Sequence, residues 1–133
     1  MKFSISNTIR TNNFKDAAIQ EKIMGLWQQS NAFIAQAKEQ GKSIAAVYHD
    51  YESDYKGDYS LSICKETKSD EDFDTSKYQW KEYKVDSSDE LGVLNAWKKI
   101  WSEEEAQIIQ RVYDFDFENY PSAGENSIFI AIQ

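Results

Sequence analysis

Two stretches of the chain follow one pattern. Ala46 to Ile63 reads "AVYHDYESDYKGDYSLSI", and Arg111 to Ile132 reads "RVYDFDFENYPSAGENSIFIAI". Each opens on Val-Tyr, passes an Asp-aromatic-Glu triplet, turns over a Gly-containing loop and closes on an alternating apolar run that signals a strand. In this alignment Asp50-Tyr51-Glu52 answers to Asp116-Phe117-Glu118. A helical pattern precedes each stretch, and a further strand pattern precedes each helix. The order is therefore strand, helix, strand, strand, twice over, with half-repeats of about 1–66 and 78–133. Two units make an internal duplication rather than a solenoid. The expectation is one α+β domain of duplicated β-α-β-β units: a pseudo-twofold antiparallel sheet, two helices on one face, and a ligand cleft at the seam between the halves.

Periodicity places the elements. The first helix is expected from Phe14 to about Glu39, where Ile19, Ile23, Leu26, Trp27, Phe33, Ile34 and Ala37 recur at three- and four-residue spacing and Gly41 supplies the stop. The second is expected to start at "SSDE", with Ser87 and Glu90 at capping-box spacing, and to present Leu91, Leu94, Trp97, Ile100 and Trp101 on one side. Strands are expected at Lys2 to Arg10, Ile44 to Tyr51, Tyr59 to Lys65, Tyr78 to Val85, Val112 to Glu118 and Ser127 to Ile132. The charged stretch from Glu66 to Lys77 has no place in the pattern.

One strand poses a question of its own. In "DFDFENYP", alternation sends Tyr113, Phe115 and Phe117 to one face and Asp114, Asp116 and Glu118 to the other. The first face is core; the second is bathed in water or turned toward something cationic.

Charge and composition narrow the functions. A net charge of −8 over 133 residues argues against a nucleic-acid backbone as partner, since phosphate binding draws on clustered Lys and Arg. No apolar run has the length of a signal peptide or a membrane span, so a cytoplasmic location with no membrane contact is expected. Cys64, the single cysteine, reads as a structural thiol at a strand end, and His49, the single histidine, has no metal-ligand spacing around it. No metal and no cofactor is expected. Four Trp, eight Tyr and seven Phe are a heavy aromatic load for so small a domain; packing of the core accounts for most aromatics, and an excess of Tyr and Trp also suits the walls of a pocket for flat or cationic ligands.

The residues also resemble a known family. "IRTNN", "LW" in the first helix, "AVYHDYESDYKGDYSLSI", "AWKKIW" and "YDFDFENY" followed by "IFIAI" are similar to the GyrI-like effector-binding domains, and among them to the integron-associated effector-binding proteins. The likeness runs over nearly the whole chain. It departs at Ile63-Cys64, where relatives often carry a glycine, and around Asp86, which is polar where relatives are glycine-containing. The resemblance implies a single domain over residues 1–133 that binds a small lipophilic, often cationic molecule in the cleft. Many relatives serve as the sensor of a transcription regulator behind a helix-turn-helix unit; here the strand-helix unit begins at the first residues, so regulation is expected to act through a protein partner or by sequestering the ligand.

The resemblance further implies that the glutamate of "DFENY", Glu118, faces the cleft as counter-charge for a cation, with Asp114 and Asp116 solvated. Lining candidates are Tyr48, Tyr51, Trp27, Trp97 and Tyr120, with core packing as the competing role of Trp27 and Trp101. Tyr48 and Tyr51 cannot both point inward on a regular strand unless the strand is interrupted between them. Glu52 reads as a solvated hairpin end. Three functions compete: a binding protein for lipophilic cations, not an enzyme; an acidic interaction protein of gyrase-inhibitor type; and a hydrolase using a buried glutamate as general base. A homodimer is a further possibility.

Overall fold

The structure is a computed structural model and describes residues 1–133. In chain order it contains β1 (Lys2–Thr11), α1 (Ile19–Gln29), α2 (Asn31–Glu39), β2 (Ile44–His49), β3 (Tyr59–Glu66), β4 (Phe73–Asp74), a 3-10 turn (Thr75–Lys77), β5 (Gln79–Lys84), α3 (Gly92–Glu105), β6 (Phe115–Tyr120) and β7 (Ser127–Ile132). All strands join one antiparallel sheet in the order β4-β1-β3-β2-β6-β7-β5. Without the short β4, the order reads β1-β3-β2 against β6-β7-β5, each half the mirror of the other in sequence position. The duplication is thus built into the sheet, and β2 and β6 form its seam, with Ile44 opposite Tyr120 and His49 opposite Phe115.

That register corrects one detail of the sequence alignment. β2 ends at His49, so Asp50-Tyr51-Glu52 lies beyond the strand, while Asp116-Phe117-Glu118 lies within β6. Glu52 is exposed in the turn and is no counterpart of Glu118. The chain leaves the strand because Asp50 adopts a left-handed conformation, φ +50°, which an aspartate tolerates better than most residues.

Both helical expectations shift for local reasons. Asn12 Oδ1 accepts the backbone N–H of Phe14 and Lys15, and Asp16 Oδ1 accepts that of Ala18, so the chain turns before it coils and α1 begins at Ile19. The single helix expected to Glu39 is two, because Ser30 closes α1 and opens α2, and its buried hydroxyl accepts a hydrogen bond from Asn7 Nδ2. The capping box at Ser87 does not form. Asp86 Oδ1 accepts the Ser88 N–H and Asp89 Oδ1 accepts the Leu91 N–H, which makes turns of the segment, and α3 starts at Gly92. A side chain at position 92 would stand 2.2 Å from the Asp86 carbonyl oxygen, so only glycine fits there.

The sheet separates three apolar clusters. On the helical face, Leu26, Ala37, Leu61 and Ile63 pack the first half, and Trp97, Ile100, Ile128 and Ile130 pack the second; the Tyr48 ring touches both. The opposite face is concave. There Phe73 of β4 and Trp80 of β5, from the two edges of the sheet, lie 5.1 Å and 5.3 Å from the Phe115 ring, so the half-barrel curls until its edges meet over a floor of Phe3, Val47 and Phe117. The stretch from Glu66 to Lys77 finds its role here: it bridges the edges and supplies Phe73.

Candidate functional site

A cavity of about 600 Å³ lies at the seam on the helical face, within the range of small-molecule sites. Ile19, Ile23 and Met24 of α1 form one wall, and Leu91, Leu94, Trp97 and Trp101, at and after the start of α3, form the other. Tyr48 and Tyr59 rise from the sheet, Tyr51 and Tyr55 enter from the β2–β3 loop, and Arg111 closes the deep end. Spacing explains the helical contributions: residues four apart, such as Trp97 and Trp101, stack along one face, with ring centroids 6.4 Å apart. Tyr55 lies flat on Trp101 at 5.3 Å, and the Tyr48 ring meets Trp97 edge-on at 4.8 Å.

Tyr48 and Tyr51 both reach the cavity. Alternation would forbid it, but the left-handed turn at Asp50 rotates Tyr51 back to the side of Tyr48. Tyr113 behaves likewise: at φ +61° it precedes β6 rather than belonging to it, and its ring stacks over Arg111 at 4.3 Å instead of joining Phe115 in the concave core.

Glu118 is buried, 5% exposed, and lies one layer behind the cavity wall rather than in it. Its Oε2 accepts the Tyr48 phenol at 2.6 Å and the Trp97 indole N–H at 2.8 Å, and its Oε1 accepts the Tyr120 phenol at 2.7 Å. All three donors are neutral, and no Lys or Arg pairs with it. Three of the expected lining residues therefore meet at one carboxylate, although only Tyr48 and Trp97 face the cavity. Tyr120 is behind them, and Trp27 stands edge-on against Tyr120 at 5.5 Å, in the packing of the first half rather than at the cleft.

Asp116 is not solvated, contrary to expectation. It is 0% exposed, and accepts Arg111 Nη2 at 2.8 Å, the Tyr51 phenol at 2.6 Å and the Ala131 N–H at 2.9 Å. Asp114, at the strand's outer end, takes the phenol of Tyr78. Every acid of "DFDFENYP" is thus the acceptor of a tyrosine. The same device recurs in the last turn of α3, where Glu103, Glu104 and Glu105 accept Tyr83, Tyr113 and Tyr55. Three carboxylates are unfavourable at a helix C-terminus; these phenols, with Lys81 on Glu103 and Arg111 on Glu104, offset that.

Phenols held against carboxylates resist ionisation. Burial, and then the charge of Glu118, raises Tyr48 well above the usual range; burial and the charge of Asp116 do the same for Tyr51; and the hydrogen bond to Glu105 is the first cause pushing Tyr55 up to about 12. Tyr59, Tyr78, Tyr83, Tyr113 and Tyr120 are raised as well. A group whose ionisation is pushed up by folding contributes its stability below its unfolded value, about 10 for tyrosine, and loses it as pH rises toward the folded value. Phenolate absorbance should therefore stay low past pH ~10 and then rise in one step together with loss of near-ultraviolet dichroism. Independent titration of several tyrosines in the folded protein would contradict these pairings.

A second constellation escaped the sequence reading. Ser62 Oγ lies 2.7 Å from His49 Nε2, and His49 Nδ1 lies 3.4 Å from Asp50 Oδ2, the order of a hydrolytic triad. Ser62 is 0% exposed, however, and also bonded to Thr8 Oγ1 at 2.7 Å across the sheet. No substrate carbonyl can approach it.

The fold and site together define an α+β domain with an aromatic, acid-backed pocket between duplicated halves. No protein-family model matches the chain. It is 28% identical to the "Putative transcriptional regulator protein YobU" of Bacillus subtilis (strain 168), an alignment of 144 residues covering 93% of this chain and 88% of that one. In fold it is similar to an integron cassette protein from the mobile metagenome of Vibrio cholerae, with a TM-score of 0.69 at 21% identity over 99% of this chain and 96% of that one. No helix is long and apolar enough to cross a membrane.

Proposed function

We propose that the protein binds a small, flat, lipophilic cation in the seam pocket, as an effector-binding protein of GyrI-like type that senses or sequesters its ligand. The carrying observation is Glu118: a buried carboxylate with three neutral donors, no cationic partner, and the rings of Tyr48 and Trp97 between it and an open cavity. A cation over those rings gains about 0.5–2 kcal/mol from each desolvated face, and the charge behind them adds to the attraction. Rings and aliphatic walls accept many outlines, which favours breadth over strict selectivity. The similarity to a protein named as a transcriptional regulator supports a role in regulation.

The other readings have less behind them. Asp116 and Glu118 are internal, so "DFDFENYP" offers no acidic face for a gyrase-type partner. For catalysis, Ser62 is sealed in the sheet, and Glu118 has its oxygens occupied by donors.

The test is a tryptophan-fluorescence titration with an aromatic quaternary ammonium compound and its neutral carbon isostere. Trp97 and Trp101 line the cavity and will report occupancy. The cation is expected to bind at micromolar concentration and the isostere at least about ten-fold more weakly. Equal affinities, or none, would sink the proposal.

A further inference from the structure

We propose that the ligand is an amphiphile: its aromatic cation sits in the cavity, and an alkyl chain runs out through the mouth over a collar formed by Met24, Leu91 and Leu94. The inference rests on the reading of the cavity as a cation site and adds the shape of the molecule that fills it.

Six large apolar side chains stand exposed on the protein: Met1, Phe14, Met24, Leu91, Leu94 and Ile108. Scattered singly, such residues need no explanation. These are not scattered. Met24, Leu91 and Leu94 line the cavity although they are 60%, 58% and 42% exposed. Phe14 is next to them in kind, with its ring 5.7 Å from that of Trp101 and 6.1 Å from that of Tyr55, both part of the lining. The deeper lining is sheltered, with Tyr59 and Trp97 both buried, so the exposed members mark the mouth. Both halves of the molecule supply the collar. Met24 stands on α1, one turn after Gln20, and Leu91 and Leu94 stand one turn apart at the start of α3.

Continuity with the cavity decides what covers this patch. The three side chains are walls of the cavity as well as surface, so a chain leaving the cavity passes over them without a break. The exposed Glu90 carboxylate shares the mouth and has no ion-pair partner. A protein seated there would desolvate that charge, whereas a narrow chain leaves it in water. Methionine, unbranched and adaptable, fits a chain of variable outline.

The experiment titrates the intact protein, followed by tryptophan fluorescence, with benzyltrimethylammonium and with homologues in which one N-methyl is butyl, hexyl or octyl, all below micelle-forming concentration. It is run on the wild type, on Met24→Gln with Leu94→Gln, and on Ile108→Gln as a control for an exposed apolar residue outside the lining. All three positions are exposed, so glutamine costs little stability there. In the wild type each added methylene is expected to tighten binding about two-fold, half the factor of roughly four that complete burial gives, because one side of the chain stays in water. The double variant should flatten that dependence and Ile108→Gln should keep it. Equal affinities along the series in the wild type, or an undiminished dependence in the double variant, would overturn the collar while the cation pocket stands. A wild-type dimer that the double variant dissolves, read by light scattering, would give the collar to a second copy and overturn it too. If benzyltrimethylammonium and every homologue fail to bind, the pocket reading fails and this inference fails with it.

Discussion

Arg111→Met is expected to cost about 3–5 kcal/mol of folding stability, the usual penalty for leaving one partner of a buried ion pair without the other. Asp116 would remain fully buried with its charge matched only by the Tyr51 phenol and the Ala131 N–H. For a domain with about 5–15 kcal/mol in hand, that is a large share. Removing both charges, as Arg111→Met with Asp116→Leu, should recover part of the loss, since no charge is then stranded. Recovery will be incomplete because Tyr51 and Ala131 keep buried donors with nothing to accept them. Urea unfolding of the wild type, the single and the double variant measures all three. A single substitution costing under about 1 kcal/mol would mean that water reaches Asp116 and that the buried pair is not what holds β6 to the loop before it.

Glu118→Leu should be at least as damaging, by a different route. It strands the Tyr48 and Tyr120 phenols and the Trp97 indole N–H, each unsatisfied buried donor costing about 1–3 kcal/mol. Glu118→Gln keeps an oxygen for Tyr48 and Trp97, and its amide can donate to the Tyr120 oxygen, so a loss of about 1 kcal/mol is expected. A wide gap between the two variants in thermal unfolding would show that Glu118 organises the wall as a hydrogen-bond acceptor, apart from its charge. Equal losses would say that the three donors find other partners.

Much of this architecture was legible because periodic patterns carry it. The apolar strand from Ser127 to Ile132 appears as expected, and the repeated strand-helix-strand-strand order became the mirrored sheet. What the sequence hid lies where a single residue overrides the period. Asp50 and Tyr113, both at positive φ, reverse the side to which neighbouring rings point; aspartate tolerates that conformation, but no propensity marks Tyr113. Asx turns at Asn12, Asp16, Asp86 and Asp89 delayed both helices, although the dense Asp, Asn and Ser around them was a readable warning.

The site was legible in part for the same reason. Alternation grouped Glu118 with Asp114 and Asp116, and the resemblance turned it toward the cleft, but neither could say that Tyr48 and Trp97 stand in front of the carboxylate. Tyr55 and Tyr59 were missed as lining because Tyr55 sits in a loop read as solvated and Tyr59 at a strand's first residue. Asp116 was misjudged because its partner, Arg111, stands five residues before it, outside the strand and at no period of it. A lone arginine just ahead of an apolar strand, in a chain this acidic, was the available hint of a buried ion pair.

The central claim is that a buried, unpaired carboxylate makes this pocket select cations. Calorimetric titration of the aromatic quaternary ammonium compound into the wild type and into folded Glu118→Gln tests it most directly. The account predicts that the variant loses at least about ten-fold in affinity for the cation and little for the neutral isostere, a charge effect of roughly 1.4 kcal/mol or more. An unchanged cation affinity in Glu118→Gln would contradict it and leave Glu118 as a structural acceptor alone.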